Sequence, residues 1–170
     1  MAPVVPPELD DVDVRILALL EEDARRSARA ISREIGMSAN AVSERIDRLQ
    51  QRGVIAGFHA HIDPEKLGYG LLAIVGLETL HGPDLDEAVE QILAIPEVEA
   101  AHIVTGRWDL VIEVRARDQH HLQEILLERV WRLRSFRHSE TLICLSTHQQ
   151  SHRWAPPAIR RSQAARTPPR

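Results

Sequence analysis

Ser27-Ala-Arg-Ala-Ile-Ser-Arg-Glu-Ile-Gly-Met-Ser-Ala-Asn-Ala-Val-Ser-Glu-Arg-Ile-Asp-Arg-Leu49 reads as two short helices joined by a tight turn, and this reading places the rest of the chain. Ser27 is placed to cap a first helix whose Ala28, Ile31 and Ile35 share one face, and Gly36 stands where a helix end needs a left-handed residue. Ser38 then caps a second helix. In it Val42, Ile46 and Leu49 recur at spacings of four and three and turn inward, which leaves Asn40, Ser43, Glu44 and Asp47 facing out. Two helices so arranged have the form of a helix-turn-helix, whose second helix enters the major groove of DNA while flanking cations hold phosphates. From Arg25 to Arg52 there are seven arginines against three acids, a local excess of four positive charges. The bland alternative is an ordinary helical hairpin with a solvated basic face.

The whole chain gives no hint of that patch. It has 170 residues, 44% hydrophobic, and a formal net charge of −4, because Glu8 to Asp23 holds seven acids and one arginine and masks the positive hairpin that follows. A wholly basic nucleic-acid binder is excluded, so DNA affinity has to be local. The single cysteine, Cys144, lies in an apolar run, has no internal disulfide partner and reads as core filling, which suits a reducing compartment. The N-terminal residues show no signal-peptide pattern, and the apolar runs have strand length. The expectation is a cytoplasmic protein with no membrane span.

Working outward, residues 1–8 are proline-rich and read as disordered, and 9–53 form the helix-turn-helix domain. In it the helical period of Val12, Ile16, Leu19 and Leu20 predicts a supporting first helix over Asp10 to Asp23, with acids at its positive end. Gly53 closes the second helix of the hairpin, and 54–68 is an extended linker ending in the turn Asp63 to Gly68. After it the period changes. Tyr69 to Thr79 reads as a strand covered on both faces, followed by a helix capped by Asp84 with Leu85, Ala88, Val89, Ile92 and Leu93 buried.

Val98 to Thr105 and Trp108 to Arg117 are strands joined at Gly106-Arg107. Asp118 caps a helix that buries Leu122, Ile125, Leu126, Val130 and Leu133, and Phe136 to Ser146 is the last strand. The fold class is therefore α+β: an N-terminal helix-turn-helix (winged-helix-like) domain followed by a ferredoxin-like βαββαβ effector and dimerisation domain over 69–147. Both helices cover one sheet face, so the other is expected to pack against a second chain in a two-fold dimer. Residues 148–170 read as a disordered basic tail. From Gln149 on, that tail has five arginines and no acids, a charge that suits loose contact with polyanions.

Leu9-Asp10 with Asp13 and Ile16-Leu17, Asp23-Ala24-Arg25, Met37-Ser38 with Val42, Arg45, Arg48 and Leu49, Gly53-Val54-Ile55, Asp63 through Gly68, and Gly106 with Asp109 stand in an order and spacing that resembles the Lrp/AsnC family of transcriptional regulators. The resemblance covers roughly residues 9–147. It implies a DNA-binding head, a C-terminal domain that dimerises and often builds octamers, and an amino acid or related metabolite bound between dimers. Arg134-Ser135-Phe136 stands where the family usually has a Pro-Gly-Val-like turn, and the basic tail lies outside the family pattern.

The DNA-facing set is Arg26, Ser38, Ala39, Asn40, Ser43, Glu44, Arg45 and Arg48, with pseudo-palindromic double-stranded DNA as the partner. Asn40 has the chemistry for a bidentate bond to adenine, and Glu44 for a cytosine amino group unless it is simply a solvated carboxylate. Arg45 and Arg48 suit phosphates, with Arg45 alternatively paired to Asp10 or Asp13 inside the fold. The effector set is Gly106, Trp108, Asp109, Ser139 and Thr141. Gly106-Arg107-Trp108-Asp109 resembles the family's Gly-x-aromatic-Asp turn, against the alternative of a plain hairpin turn with an Asx cap. Ser139 and Thr141 resemble the family's hydroxyl positions near that pocket.

Nine histidines form no ligand spacing, and no phosphate loop, nucleophile elbow or catalytic carboxylate pair is found, so no metal, cofactor or catalytic residue is expected. The competing enzyme class is the sirohaem decarboxylases, which share this two-domain architecture. They would need cations and histidines around a tetrapyrrole-sized cavity. A ligand-binding or assembly protein with vestigial DNA affinity is the third class.

Overall fold

The computed structural model describes residues 8–80, 85–133 and 135–148. Two compact units divide the described chain, one ending at His61 and one running from Ile62 to His148.

The first unit contains three helices, α1 (Asp11–Glu22), α2 (Ala28–Ile35) and α3 (Ala39–Gln51). Each begins with a side chain closing an orphan amide: Asp10 accepts from the Asp13 amide, Ser27 from Ala30 and Ser38 from Ala41. Such caps contribute about 1 kcal/mol each. Between α2 and α3 the chain turns through Gly36, whose φ of +74° is the left-handed conformation expected there. Ile16, Leu19, Leu20, Ile31, Val42 and Leu49 are buried together, with Ile46, Val54 and Ile55 packed against them. The irregular stretch after α3 thus begins as part of this core.

The second unit is a four-stranded antiparallel sheet with α4 (Leu85–Leu93) and α5 (Gln119–Ile125) on one face. Its strands β1 (Leu71–Thr79), β2 (Val98–Ile103), β3 (Leu110–Ala116) and β4 (Phe136–Ile143) lie in the order β2-β3-β1-β4, the ferredoxin-like arrangement. β3 shows why the sequence is legible: Leu110, Ile112, Val114 and Ala116 alternate into the core and are fully buried. They meet Ala73, Val75 and Leu77 of β1 and Ile92, Leu122, Ile125 and Val130 from the helical layer.

Several expectations need correction. Leu93 is 51% exposed and lies outside the buried stripe of α4, because that helix ends there and the chain then turns toward Ile95 and Val98. The helix after Asp118 is not continuous: α5 widens into a π-helical turn over Leu126–Val130 and closes with a 3-10 turn over Trp131–Leu133. Val130 stays buried through that turn, and Trp131 after it is half exposed. β2 and β3 are shorter than expected, so their connection runs over 104–109, with the Val104 amide donating to the Asp109 carbonyl. β4 stops at Ile143, and Cys144 after it is half-buried rather than core. The expected Asp84 cap lies outside the described residues, as do 1–7 and 149–170 of the two ends, 1–8 and 148–170, that the sequence reads as disordered.

Candidate functional site

α3 presents the residues expected to read DNA. Val42 and Leu49 anchor it to the core, so Asn40, Ser43 and Glu44 on its first turns are exposed, as is the capping Ser38; Ala39 is half-buried. The arginines behave differently. Arg45 Nη1 donates to Asp10 Oδ2 at 2.6 Å and to Asp13 Oδ1 at 2.7 Å, the in-fold pairing that the sequence left open. Arg48 Nη2 donates to both oxygens of Asp13, at 3.2 and 3.4 Å. Asp13 is buried, and its two guanidinium partners compensate the cost of placing a carboxylate there.

Asp10 is exposed, and its carboxyl is held below the usual range first by the Asp13 amide and then by Arg45. Arg45 in turn is raised, first by Asp10 and then by Asp13. Arg26 pairs with Glu34 at 2.9 Å and Glu22 at 3.4 Å. The bond between Asp13 and Arg48 and the pairs of Arg26 were not anticipated. The signal for Asp13 was present: with Ile16 and Leu20 it keeps helical spacing on the buried side of α1, where an acid needs a partner.

In the second unit, Gly106 has φ +129°, a conformation that favours glycine. Asp109 Oδ2 accepts from the amide and the hydroxyl of Thr79, both at 2.8 Å, so its carboxylate ties the turn to the end of β1 rather than capping the turn's own amides. Trp108 covers Gly76 of β1: an added Cβ there would lie 2.7 Å from the indole. The Arg107 guanidinium stacks on the Trp108 ring, 4.6 Å from its centroid, and pairs with Glu140 at 3.5 Å. A glycine within an apolar strand signals such a close approach, and it was not read.

Pairing places these residues on two faces. Ser139 lies opposite Leu77 and Thr141 opposite Val75, so both hydroxyls share the helix-covered face and are half-buried. Gly76 and its partner Glu140 point the other way, and Trp108 lies with them. Within one chain, then, Gly106, Trp108 and Asp109 are brought together by the turn, while Ser139 and Thr141 line the opposite side of the sheet. The face that Trp108 shares mixes Leu72, Ile74, Val111 and Leu142, the last 58% exposed, with the charged Glu78, Glu113, Arg115 and Glu140.

A separate cavity of about 340 Å³ opens among Ile62, Pro64, Leu67, Tyr69, Pro96, Glu97, Glu99 and Arg115, none of them in the expected effector set. Its charges are paired, Arg115 donating to both oxygens of Glu99 at 3.0 and 3.2 Å, and Glu97 accepting from Arg129 at 2.7 Å.

Sequence comparison matches residues 9–50 to the AsnC-type helix-turn-helix domain and residues 72–154 to the Lrp/AsnC ligand binding domain. An HTH-type transcriptional regulator of Pyrococcus abyssi is 37% identical over 139 residues, 82% of this chain and 87% of the relative. The proline dehydrogenase transcriptional activator of Rhizobium radiobacter is 31% identical over 146 residues, 85% of this chain and 94% of the relative. The structure of AsnC from E. coli is similar, with a TM-score of 0.81 at 26% identity, covering 85% of this chain and 97% of that one.

Proposed function

The chain belongs to the Lrp/AsnC family, and from that premise we propose how its two units divide the work of a transcriptional regulator. It binds DNA through the helix-turn-helix unit and carries a ligand-binding domain in the second. In our reading α3 enters the major groove, with Asn40, Ser43 and Glu44 at base edges and the amide end at Ser38 and Ala39 against the backbone. Arg26, Arg45 and Arg48 reach phosphates through the donors left over from their internal pairs. The observation that carries this is the exposed first half of α3 on a buried, triply capped support.

The sheet face bearing Leu72, Ile74, Val111 and the exposed Leu142 packs on the same face of a second copy, where its acids and Arg115 can pair across the two-fold axis, and the resulting dimer offers two α3 helices to half-sites about 34–36 Å apart. Dimers of this family often go on to octamers, and our reading extends that assembly to this chain. The effector is an amino acid or a related metabolite at the turn of Gly106, Trp108 and Asp109, with Ser139 and Thr141 supplied by a neighbouring copy, since within one chain they lie on the other side of the sheet. The relative from Rhizobium radiobacter is named a transcriptional activator of proline dehydrogenase, an enzyme whose substrate is an amino acid, and that name favours an effector of this class. Such a regulator works in the cytoplasm, where its DNA partner is; no helix among the described residues is long and apolar enough to cross a membrane. The relatives are named as regulators, which leaves the decarboxylase-like alternative without support.

Selection of bound duplexes from a random pool tests the reading. A pseudo-palindromic site is expected, and Asn40→Ala should relax preference at one position per half-site while affinity for random duplex stays level. No enriched site, or equal loss on cognate and random duplexes, would overturn it.

A further inference from the structure

The structure assigns to Asp13 a positioning role in sequence discrimination: it presets the two α3 arginines and tempers their charge, so that DNA is gripped only when the fit is close. The inference rests on the DNA-reading role of α3 proposed above. Asp13 is the acid of α1 that faces inward, its side chain 3% exposed, and it accepts from Arg45 and Arg48 at once. These arginines stand three residues apart on one side of α3, next to the exposed Glu44. Asp13 is itself held in place, since its amide donates to the carboxylate of Asp10 at 2.7 Å, and Asp10 is the second partner of Arg45.

Two consequences follow from the donor geometry. A guanidinium has five N–H groups in a fixed fork. Arg45 spends Nη1 on the two acids and Arg48 spends Nη2, so in each the other nitrogens remain for phosphate or base edges. Because one buried carboxylate restrains both side chains, they lose little further freedom on meeting DNA, and they meet it from one fixed direction. The charge balance works the same way. Two arginines against Asp10 and Asp13 leave this part of the surface nearly neutral, which weakens the long-range attraction that any DNA sequence would feel. Asp13 thus suppresses the sequence-independent term while holding the geometry that the sequence-dependent term needs.

The test uses the full-length protein, the duplex enriched by selection with the wild type, and a random duplex of equal length, titrated across salt concentrations. Asp13→Asn keeps the size and polarity of the side chain and removes its charge. It is expected to raise affinity for random duplex, steepen the salt slope by roughly one released counterion, and cut the cognate-to-random ratio about tenfold or more. Lower stability with an unchanged ratio and slope would overturn the role and leave Asp13 a structural residue. Should Asp13→Asn fail to fold, Asp13→Glu decides the matter, since it keeps the charge and moves the carboxylate outward by one methylene. It should hold random-duplex affinity at the wild-type level and lose discrimination; full discrimination would overturn the assignment. If the wild type enriches no duplex, the DNA reading itself fails and this role goes with it. If it does, an unchanged ratio in the variants refutes this role alone.

Discussion

Replacing Gly76 by alanine should expose a clash whose sign depends on a residue 32 positions away in sequence. The new Cβ would lie 2.7 Å from Cγ, Cδ1 and Cδ2 of Trp108, closer than carbon atoms approach, so the indole has to move. It is not free to swing, because Arg107 stacks on it and is tethered to Glu140, and Glu140 lies opposite Gly76 itself. Overfilling a packed contact of this kind costs about 1–3 kcal/mol. Against this, alanine is better than glycine in the interior of a strand by about 0.5–1 kcal/mol. The net expectation is a destabilisation of roughly 0–2.5 kcal/mol in the wild-type background, centred at about 1 kcal/mol. With Trp108→Ala already in place the clash is gone and only the strand term remains, so Gly76→Ala should then stabilise by about 0.5–1 kcal/mol. Denaturant unfolding followed by far-ultraviolet circular dichroism measures all four proteins of the cycle. The same destabilisation with and without the tryptophan would refute the packing argument.

Two further predictions concern the helix ends. Ser38→Ala leaves the Ala41 amide without its acceptor and should cost about 1 kcal/mol, while Ser38→Asp should stay near wild type; thermal unfolding that cannot tell the two variants apart would count against the cap. Acid stability follows from Asp10 and Asp118, whose carboxyls are held below their ordinary value, chiefly by the amides of Asp13 and His121. A group depressed in the folded state stabilises fully above its unfolded pKa of about 3.9, and that contribution drains away as pH falls through the lower native value. Asp10→Asn should therefore flatten the pH dependence of unfolding below about pH 4, and an unchanged slope there would contradict the assignment.

What the sequence disclosed and what it withheld divide along the range of the interactions. Periodicity and caps are local, and they located α1, α2 and α3 with Asp10, Ser27, Gly36 and Ser38 at their ends. Strict alternation in β3 did the same for the sheet, and the order of elements led to the ferredoxin-like topology. Strand register is not local. Ser139 and Thr141 were recognised as sharing a face, but which face depends on their pairing with Leu77 and Val75, and that pairing separates them from Trp108. The π-helical turn after Ile125 also leaves no trace in the apolar spacing, because Leu126 and Val130 are four apart in a regular helix as well. On α3, the exposed polar residues were legible from their spacing against Val42 and Leu49, whereas the partners of Arg26 and Arg48 depended on how distant segments meet.

Among the described residues, the cluster around Ile16 and Leu49 and the cluster around Val75 and Ile125 have no side chain in common. Each part of the molecule therefore carries its own means of cohesion, and a change that loosens one interior need not be answered by repacking the other. This is the condition under which heads and bodies become interchangeable: a foreign reading head grafted ahead of Ile62 would inherit an intact sensor, and the sensor could drift toward a new metabolite while the grip on the operator stayed as it was.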